Sequence, residues 1–442
     1  MKRSLVCILV SALIAAVLVS CAGTGSQSPD PAESLDPAES GIAGESRQED
    51  PDPASLPAEE SKPDENLSGL EIMYCSFSEK PYFAMVGRCA EGATVFGESE
   101  GFGFSSLSWH GWFSLRLKCS GSKTDVTVYQ QVDGKTVGEP FVFEAKPKTP
   151  DPNEMWPIVT GGDFRFFFQK MLPDLNKTNL PSEGKLNALT TRVTNRVNAI
   201  KSYNPEAEVI YLIAPSAMTV FPELVPDIYD NPDGESRLDK VINALRSGGA
   251  TVIDVRDAFA EHKNDEMPLY YYLDSHWSDY GAFVAYTELF EHIARKYPAA
   301  APRPAEDFDW HADFYDSGDM TYYLAMSQTK VKEFCYYRTF KADAPAAIAS
   351  VPRYRRATSL TYSDDVTRQN VINTGRSELP SALILRDSYS TQLYDILAER
   401  FNVTHYMGMW DYNWNNNLIS SEKPDYVIYV IAEWNADSII NG

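Results

Sequence analysis

The chain is short of basic residues and of cysteine. Its 442 residues hold 39 Lys and Arg against 62 Asp and Glu, which gives a formal net charge of -23. Phosphate backbones and anionic lipid surfaces bind proteins through Lys and Arg, so this balance excludes nucleic acid as a partner and a polybasic hold on a membrane. The 6 cysteines include no CxxC pair or other metal-ligand spacing. We therefore expect no structural zinc, no other metal and no cofactor.

The longest apolar run stands at the beginning of the sequence. A short basic start precedes Leu5–Val19, which is too short for a comfortable transmembrane helix and is typical of a secretory signal peptide. The Leu-Val-Ser-Cys sequence ending at Cys21 resembles a bacterial lipobox. This resemblance implies cleavage before Cys21, lipidation of Cys21 and a mature chain anchored on the extracytoplasmic face of the cell membrane. A lipoprotein signal peptide is thus predicted at 1–21, with an ordinary signal peptide as the alternative.

Few cysteines remain for disulfide bonds after the lipidated one. They are Cys75, Cys89, Cys119 and Cys335. A disulfide between Cys89 and Cys119 suits an exported protein, and so do buried free thiols. The sequence leaves both states open.

Residues 22–66 lack aromatic side chains and are predicted to be a disordered tether. Seven prolines, and twelve acidic against two basic residues, occupy this segment, and Asp-Pro-Ala-Glu-Ser at 30–34 recurs at 36–40. Such a composition cannot bury enough apolar surface to offset the entropy of ordering. Because proline and like charge keep a chain extended, we expect the segment to hold the folded part away from the membrane.

Short strand-like runs separated by turn residues occupy residues 67–145. Trp112–Leu117 alternates loosely, as a half-buried strand does, and Asp133-Gly134 is typical of a hairpin turn. The runs VGRCAEGATV and GWFSLRLK resemble bacterial immunoglobulin-like modules. A small Ig-like β-sandwich that serves as a spacer or docking module is therefore predicted.

After a proline-rich linker at Lys146–Asn153, apolar strands alternate with amphipathic helices over 155–442. The predicted strands are Val209–Ala214, Thr251–Val255, Leu383–Leu385 and Tyr426–Ile431, and the predicted helices are Lys185–Tyr203, Arg237–Arg246, Tyr280–Lys296 and Thr391–Arg400. This alternation predicts an α/β domain, a flavodoxin-type parallel sheet sandwiched by helices. Ligands of such sheets bind outside the carboxyl ends of the strands.

The first candidate for chemistry is the pair Asp274 and His276. In an extended segment residues i and i+2 project to the same side, so the carboxylate can hold the imidazole in one tautomer. A helix predicted just afterwards, with Ser278 as its N-cap, fixes this segment. Taken alone, the pair is more typical of a structural histidine.

The second candidate is Ser388, which follows the strand Leu383–Leu385 and precedes a helix. At this place free backbone N–H groups and the positive end of the helix dipole can stabilise an oxyanion. A serine alcohol needs a base to become nucleophilic, and His276, 112 positions earlier, is the candidate. By itself Ser388 also suits a helix N-cap.

The two segments together, in this order, resemble the alginate O-acetylation proteins of the AlgX/AlgJ type and the related DHHW proteins. LDSHWSDYGAFVAY resembles their Asp-x-His-Trp segment, and LPSALILRDSYS resembles their serine segment. Supporting blocks are YLIAPSAMTVFPELVP, SGDMTYYLAM and PDYVIYVIAEWN. The resemblance covers roughly 155–440. It implies an SGNH hydrolase-like fold and assigns Asp274, His276 and Ser388 the roles of carboxylate, base and nucleophile.

The resemblance also implies a reaction. His276, held by Asp274, deprotonates Ser388, which takes up an acetyl group and passes it to a polysaccharide hydroxyl. In this family the acetyl group is thought to come from a membrane-bound O-acyltransferase, which a lipid anchor would adjoin. The alternatives are an SGNH carbohydrate esterase or deacetylase with the same residues, and a catalytically silent glycan-binding lipoprotein.

The sequence departs from the family pattern at two places. Arg386 stands where many members have glycine, and Pro215-Ser216 stands where a proline-lysine pair is common. Because of these departures, the sequence does not predict the backbone conformation of the turn at Ser388. Gly318, Asn373 and Arg386 are the candidates for a second oxyanion donor or a supporting residue.

Three further features accompany the two catalytic segments. Trp277 and Glu433 are interpreted as structural residues. The segment Tyr406–Asn417 is rich in aromatic and amide side chains. It either lines a sugar cleft or packs as an ordinary loop.

Overall fold

The computed structural model describes most of the chain beyond the predicted tether. The described residues are 69–79, 82–100, 102–108, 110–118, 124–145, 158–162, 165–225, 229–316, 318–323, 332–341 and 368–442. The predicted signal peptide and tether, with Cys21, lie outside these residues, as do the linker at 146–153 and Cys119. Within the described ranges, no helix combines the length and the apolar character needed to span a bilayer.

Seven strands form two antiparallel sheets in the N-terminal part. They are β1 Glu71–Glu79, β2 Tyr82–Arg88, β3 Thr94–Ser99, β4 Phe102–Leu107, β5 Trp112–Lys118, β6 Thr124–Val132 and β7 Lys135–Ala145. The sheet orders are β1-β2-β5 and β4-β3-β6-β7. Met85 and Phe113 from the first sheet and Val128 from the second share one hydrophobic core. Asp133 and Gly134 form the β6–β7 turn with φ of 51° and 72°, the conformation that Asp-Gly hairpins favour.

Two cysteines are buried within the described residues. Cys89 lies in the core of the N-terminal sheets, and Cys335 lies in a strand of the second part. Burial raises the pKa of the Cys89 thiol to about 12. This thiol is therefore inert at neutral pH.

The second part alternates strands and helices. Its strands are β8 Ile158–Thr160, β9 Phe166–Phe168, β10 Glu208–Ala214, β11 Thr251–Ile253, β12 Phe308–Asp316, β13 Lys332–Phe340, β14 Asn370–Asn373, β15 Ala382–Arg386, β16 Val403–Tyr406 and β17 Tyr426–Ala432. Its α-helices are α1 Leu172–Leu175, α2 Glu183–Lys201, α3 Ala217–Val220, α4 Arg237–Ser247, α5 Arg256–His262, α6 Asp279–Ala294, α7 Asp319–Tyr323, α8 Tyr394–Glu399, α9 Asn416–Glu422 and α10 Asp437–Asn441. Short 3-10 turns are Gln169–Met171, Pro222–Leu224, Pro298–Ala300, Ala305–Asp307, Ser388–Leu393 and Glu433–Asn435.

A six-stranded sheet organises this part, in the order β11-β10-β17-β15-β16-β14. Five strands are parallel, and β14 runs antiparallel at the edge. A mostly parallel sheet with helices is thus confirmed. The flavodoxin order places the third parallel strand of the chain beside the first, whereas here the last strand, β17, lies between the first and the third. All seven residues of β17 are buried, so a strand with two apolar faces occupies the centre.

Alternate residues of the central strands face two hydrophobic cores. Val209 and Tyr211 of β10 pack in the same core as the apolar faces of α2 and α4. Ile210 and Leu212 point the other way and pack in the core that includes α6. The period of two in a strand thereby explains why helices cover both faces of the sheet.

Strands β12 and β13 form a two-stranded antiparallel ribbon beside the sheet, with Phe308 paired to Phe340 and Asp316 paired to Lys332. The ring of His110, from the N-terminal part, stacks on Phe334 of this ribbon with 3.5 Å between ring centroids. The ribbon therefore joins the two parts of the chain. The sequence patterns did not predict it.

Candidate active site

Ser388 begins the 3-10 turn Ser388–Leu393, directly beyond the carboxyl end of β15. Asp387 caps this turn, because its side chain accepts a hydrogen bond from the N–H of Tyr389 at 2.9 Å. The other Asp387 oxygen accepts hydrogen bonds from the N–H of Ala432 at 2.8 Å and from the side chain of Asn435 at 2.9 Å. The turn is thus tied to the end of the central strand. Asp387 takes up the N–H of Tyr389 with its side chain and the N–H of Ser390 with its carbonyl oxygen.

The three residues predicted for catalysis form one hydrogen-bonded chain. The His276 Nε2 atom lies 2.7 Å from Ser388 Oγ. The His276 Nδ1 atom lies 2.7 Å from Asp274 Oδ1. In this geometry an imidazole protonated on Nδ1 donates to the carboxylate and offers Nε2 to the serine alcohol, the arrangement that a serine nucleophile needs.

The backbone around His276 differs from the extended segment that the sequence predicted. Residues 272–276 form bends. Asp274 Oδ1 accepts the backbone N–H of His276 at 3.0 Å as well as its ring nitrogen, a local turn that aspartate favours. The extended geometry was therefore wrong, although the two side chains do meet. Ser278 caps α6 as predicted, with its Oγ accepting hydrogen bonds from Tyr280 and Gly281 at 3.1 Å each.

The charges around His276 favour its protonated form. Burial lowers the pKa of His276, but attraction to the Asp274 carboxylate and the hydrogen bond to it raise that pKa. The charges of Asp319 and Asp387 act in the same direction, and the net pKa lies above the ordinary histidine value. The imidazolium formed when His276 takes a proton is therefore stabilised.

Two contacts hold the base and the nucleophile segments together. The buried Trp277, next to the base, donates its indole N–H to the carbonyl oxygen of Tyr389 at 2.7 Å. The buried Tyr389, next to the nucleophile, donates its hydroxyl to the carbonyl oxygen of Ser275. The interpretation of Trp277 as structural agrees with this contact, which fixes the separation of His276 and Ser388.

Two buried or half-buried carboxylates outside the predicted set also hold the base segment. Asp319 accepts hydrogen bonds from the N–H of Ser275 at 2.8 Å and from its hydroxyl at 2.6 Å. Glu333 accepts hydrogen bonds from the N–H groups of Tyr272 at 2.6 Å and Leu273 at 2.9 Å. Asp319 stood in the SGDMTYYLAM block without being singled out, and no motif surrounds Glu333. Sequence reasoning missed both.

Asp319 also places a second carboxylate, besides that of Asp274, close to His276. Asp274, His276 and Asp319 each offer one potential ligand atom, and these atoms lie within 4.8 Å of one another. Burial and repulsion from Asp274 raise the pKa of Asp319 to about 6. Because His276 binds Asp274 and Ser388, and Asp319 binds Ser275, the geometry of the described cluster suits proton transfer better than metal coordination.

Arg386 lies beneath the nucleophile turn. It is fully buried, and its Nε donates to the carbonyl oxygen of Met407 at 3.0 Å while Nη1 lies 3.4 Å from Ser390 Oγ. Burial lowers the pKa of Arg386. Arg386 thus links the Ser390 side chain within the turn to the backbone of Met407, which agrees with the supporting role predicted for it.

The other two candidates for an oxyanion donor lie at different ends of the sheet. Gly318 is buried directly before Asp319, beside the base segment, and its role stays a prediction. Asn373 pairs with Val403, the first residue of a parallel strand, and so lies at the amino edge of the sheet. Ser388 lies at the carboxyl edge. Asn373 cannot reach it, and that candidate was wrong.

Glu433 is a buried carboxyl at the end of β17. Its Oε2 accepts hydrogen bonds from the N–H of Ser216 at 2.7 Å and the hydroxyl of Thr219 at 2.8 Å. Burial and repulsion from Asp174 raise the pKa of Glu433 to about 7. The structural interpretation of Glu433 agrees with these contacts, which fix the turn after β10.

A pocket of about 250 Å³ adjoins the base segment. The guanidinium of Arg165 lies in it between two aromatic rings, 4.5 Å from the centroid of Phe221 and 4.3 Å from that of Tyr272. Tyr272 precedes Asp274 by two residues. A molecule in this pocket would therefore lie beside the loop that carries the base.

The family comparison covers the base segment. Residues 166–347 match the family described as "SGNH hydrolase-like domain, acetyltransferase AlgX". The matched span holds Asp274, His276, Asp319 and Glu333 and ends before Ser388. The match confirms the resemblance to the AlgX/AlgJ proteins and the SGNH-like domain, and it supports acetyl transfer to a polysaccharide as the class of function. No curated protein matches the sequence.

Several solved structures are similar at low sequence identity. The O-acetyltransferase domain of Pseudomonas putida AlgJ is 16% identical over 63% of this chain and 91% of that chain, with a TM-score of 0.39. Bacillus cereus PatB1 is 16% identical over 63% of this chain and 96% of that chain, with a TM-score of 0.47. A DHHW family protein from Eubacterium siraeum is 14% identical over 72% of this chain and 95% of that chain, with a TM-score of 0.42.

Proposed function

We propose that this protein is a polysaccharide O-acetyltransferase that works through an acetyl-Ser388 intermediate. The observation that carries the proposal is the hydrogen-bonded chain from Asp274 through His276 to Ser388, with 2.7 Å at each step. The acetyltransferase family match over 166–347 supports the same reaction class. The assignment of Ser388 as nucleophile rests on the geometry alone, because the matched span ends before it.

The first half of the proposed reaction forms an ester. His276 Nε2 takes the hydroxyl proton while Ser388 Oγ bonds to the carbonyl carbon of the acetyl donor. The bond from that carbon to the donor's leaving atom breaks, and His276 returns the proton to the leaving atom. The oxyanion that forms in between is proposed to accept a hydrogen bond from the backbone N–H of Ser388, because Asp387 takes up the N–H groups of Tyr389 and Ser390.

The second half passes the acetyl group to the glycan. His276 takes the proton of a sugar hydroxyl, whose oxygen bonds to the acetyl carbon of the ester. The bond from that carbon to Ser388 Oγ breaks, and His276 returns the proton to the serine. Water in place of the sugar would complete a hydrolysis, so transfer requires that the acceptor displace water from the site.

We further propose that the chain is a lipoprotein tethered through Cys21. The support is the sequence of residues 1–66. In this placement a membrane-bound O-acyltransferase supplies the acetyl group, and the acidic tether allows the domain to reach the polysaccharide. The two N-terminal sheets, of three and four strands, have the strand count of a constant-type immunoglobulin sandwich. We assign them the Ig-like spacer role.

Trapping the intermediate tests the proposal. Purified protein is mixed with a small activated acetyl ester, and the peptide containing Ser388 is examined by mass spectrometry for one added acetyl group. We expect the adduct in the wild type, none in Ser388→Ala and a greatly slowed formation in His276→Ala. An adduct on another serine, or equal labelling in the His276 variant, would overturn it.

Adding soluble glycans to the trapped form separates the two enzyme classes. A transferase yields acetylated glycan, whereas an esterase yields only acetate with every glycan tried. Unchanged glycan acetylation in cells that carry Ser388→Ala would support the glycan-binding alternative.

A further inference from the structure

Trp410 is an exposed tryptophan at the edge of the sheet where the nucleophile lies. Its backbone N–H donates to the carbonyl oxygen of Arg386 at 3.0 Å. Ser388 follows Arg386 by two residues, so the Trp410 backbone is within roughly 12 Å of the nucleophile, since consecutive Cα atoms are about 3.8 Å apart. A short oligosaccharide spans such a distance.

The Trp410 side chain is partly exposed to solvent. The side chain is 51% exposed, and among the described aromatic residues only Phe141, on the distant strand β7, is comparably exposed for its size. A large apolar ring left in water gains free energy from any flat apolar partner that covers it. An exposed tryptophan beside a reaction site therefore indicates a binding surface.

The backbone of Trp410 is strained to hold the ring there. Its φ of 70° lies in the left-handed region, which glycine enters freely and a bulky residue rarely adopts. Such strain persists at functional sites where the surrounding structure enforces it. Here the hydrogen bond to Arg386 enforces it, because it ties the loop to the nucleophile strand.

The rest of the loop divides into packed and exposed side chains. Tyr406 is fully buried, and Tyr412 and Trp414 pack against the core beneath α2 and α4. These three residues pack as those of an ordinary loop, which is one of the two interpretations of the segment. Trp410 and the exposed amide side chains that follow it are the residues of the segment that could line a sugar cleft.

Polar side chains beside Trp410 carry little charge. Asn413 is exposed, and its side-chain amide donates to Asp411 at 3.0 Å. Asn417 is exposed as well. From 407 to 417 the loop holds one acid and no base. Amide and carboxylate groups bind sugar hydroxyls, whereas a loop without a cation offers nothing to an anionic sugar.

We propose that Trp410 is the stacking platform for an uncharged pyranose ring of the acceptor glycan. The apolar C–H face of the sugar packs on the indole face, where the ring quadrupole is negative, and the neighbouring amides bind its hydroxyls. This inference rests on the proposed function, because it names the acceptor subsite of the same reaction.

The test separates glycan binding from ester formation. The variants are Trp410→Gly, which removes the ring and suits a positive φ, and Trp410→Phe, which keeps an aromatic face. Phe141→Ala is the matched control, because it removes an exposed aromatic ring far from the site. The probes are cellohexaose, N-acetylchitohexaose and a uronate hexamer, with binding measured by calorimetry and acetyl transfer measured on the preformed acetyl enzyme.

We expect Trp410→Gly to weaken the binding of at least one neutral hexamer, and acetyl transfer to it, by about tenfold. This factor corresponds to the free energy of one stacking contact. Trp410→Phe should lose far less, Phe141→Ala should lose nothing, and formation of acetyl-Ser388 should stay within about twofold in all three. Because the left-handed φ suits glycine, the melting temperature of Trp410→Gly should not fall.

Two results would overturn the inference: neutral hexamers bound equally by the wild type and Trp410→Gly, or a uronate hexamer preferred by the wild type over both neutral ones. Failure of the proposed function looks different. The wild type would then form no acetyl-Ser388, while Trp410-dependent binding of a neutral hexamer in calorimetry would still support the subsite.

Discussion

The indole N–H of Trp277 lies 2.7 Å from the carbonyl oxygen of Tyr389. One residue follows the base and the other follows the nucleophile, so this hydrogen bond connects two segments that are 112 positions apart in the chain. The Tyr389 hydroxyl returns to Ser275 on the other side of His276. The distance between His276 and Ser388, the proposed base and nucleophile, is thus set by the side chains next to them in the chain.

Trp277→Phe tests this relationship. The variant keeps an aromatic ring but leaves the buried Tyr389 carbonyl without its donor, a loss of about 1–3 kcal/mol in the free energy of unfolding. We expect acetylation of Ser388 to slow by at least tenfold, because the base and the nucleophile separate. Urea unfolding and the pre-steady-state burst with a small acetyl ester measure the two effects.

Trp310→Phe is the control for the loss of an indole donor. The indole N–H of the half-buried Trp310 donates to the carbonyl oxygen of Ala305 at 3.3 Å. We expect its removal to change the burst rate by less than twofold. If Trp310→Phe and Trp277→Phe slow the burst alike, the contact with Tyr389 has no special role.

The pH dependence of ester formation should reflect the raised pKa of His276. The base works only when deprotonated, so a raised pKa moves the acidic limb of the rate profile to higher pH. We expect the burst rate to rise with pH and to reach half its maximum above 6.5, the ordinary histidine value. A midpoint below 6.5 would contradict the electrostatic environment described for His276.

Asp319→Asn and Glu333→Gln form a matched pair that separates charge from positioning. Each variant replaces a carboxylate that accepts two hydrogen bonds from the base segment. We expect Glu333→Gln to slow ester formation by about tenfold, because one backbone N–H then meets an amide N–H instead of an oxygen. Asp319→Asn should slow it less at its pH optimum, because the Ser275 hydroxyl can accept the new amide N–H. Circular dichroism and thermal melts establish that each variant is folded.

The two variants should differ in their pH profiles. The charge of Asp319 raises the pKa of His276, whereas Glu333 accepts its hydrogen bonds from the backbone of Tyr272 and Leu273. Removing the Asp319 charge therefore lowers the pKa of His276 and moves the acidic limb to lower pH, while Glu333→Gln leaves the limb in place. An unmoved limb in Asp319→Asn would reduce Asp319 to a structural residue.

The raised pKa of Glu433 should make the free energy of unfolding depend on pH. Burial raises its folded-state pKa to about 7, above the ordinary glutamate value near 4.3. The unfolded chain therefore ionises this group more readily, and its contribution to stability is lost as the pH rises from about 4 to 7. Glu433→Gln keeps an acceptor for Ser216 and Thr219 and cannot ionise, so it should lose less unfolding free energy than the wild type between pH 5 and pH 8.

Urea denaturation at both pH values measures this difference. The exposed Glu183, in the first turn of α2, supplies the control variant Glu183→Gln, which should follow the wild type. Equal pH dependence in all three proteins would show that Glu433 ionises freely in the folded state.

The buried strands and the two catalytic segments could be predicted from sequence, because their signals are local. The runs Val209–Ala214 and Tyr426–Ile431 are apolar on both faces, as strands covered on both sides must be, and each is a strand within one residue at either end. The helix expected at Thr391–Arg400 was less well placed. A 3-10 turn occupies Ser388–Leu393, and the α-helix begins only at Tyr394.

The remaining features depend on contacts between distant parts of the chain. Glu333 binds the backbone 60 and 61 residues before it, and nothing in its neighbours indicates that partner. The placement of β17 between β10 and β15 likewise follows from packing of the whole sheet. Asn373 was a candidate for the oxyanion because the direction of its strand, antiparallel at the edge, cannot be read from four residues.

The central position of β17 has a consequence for biogenesis. The strand that separates β10 from β15 is the last one made, and the N–H of Ala432 at its end anchors the carboxylate preceding the nucleophile. A nascent chain that stops before residue 426 has two half-sheets with unpaired inner edges and no reactive serine in place. Assembly of the site around Ser388 therefore waits until β17 has been synthesised.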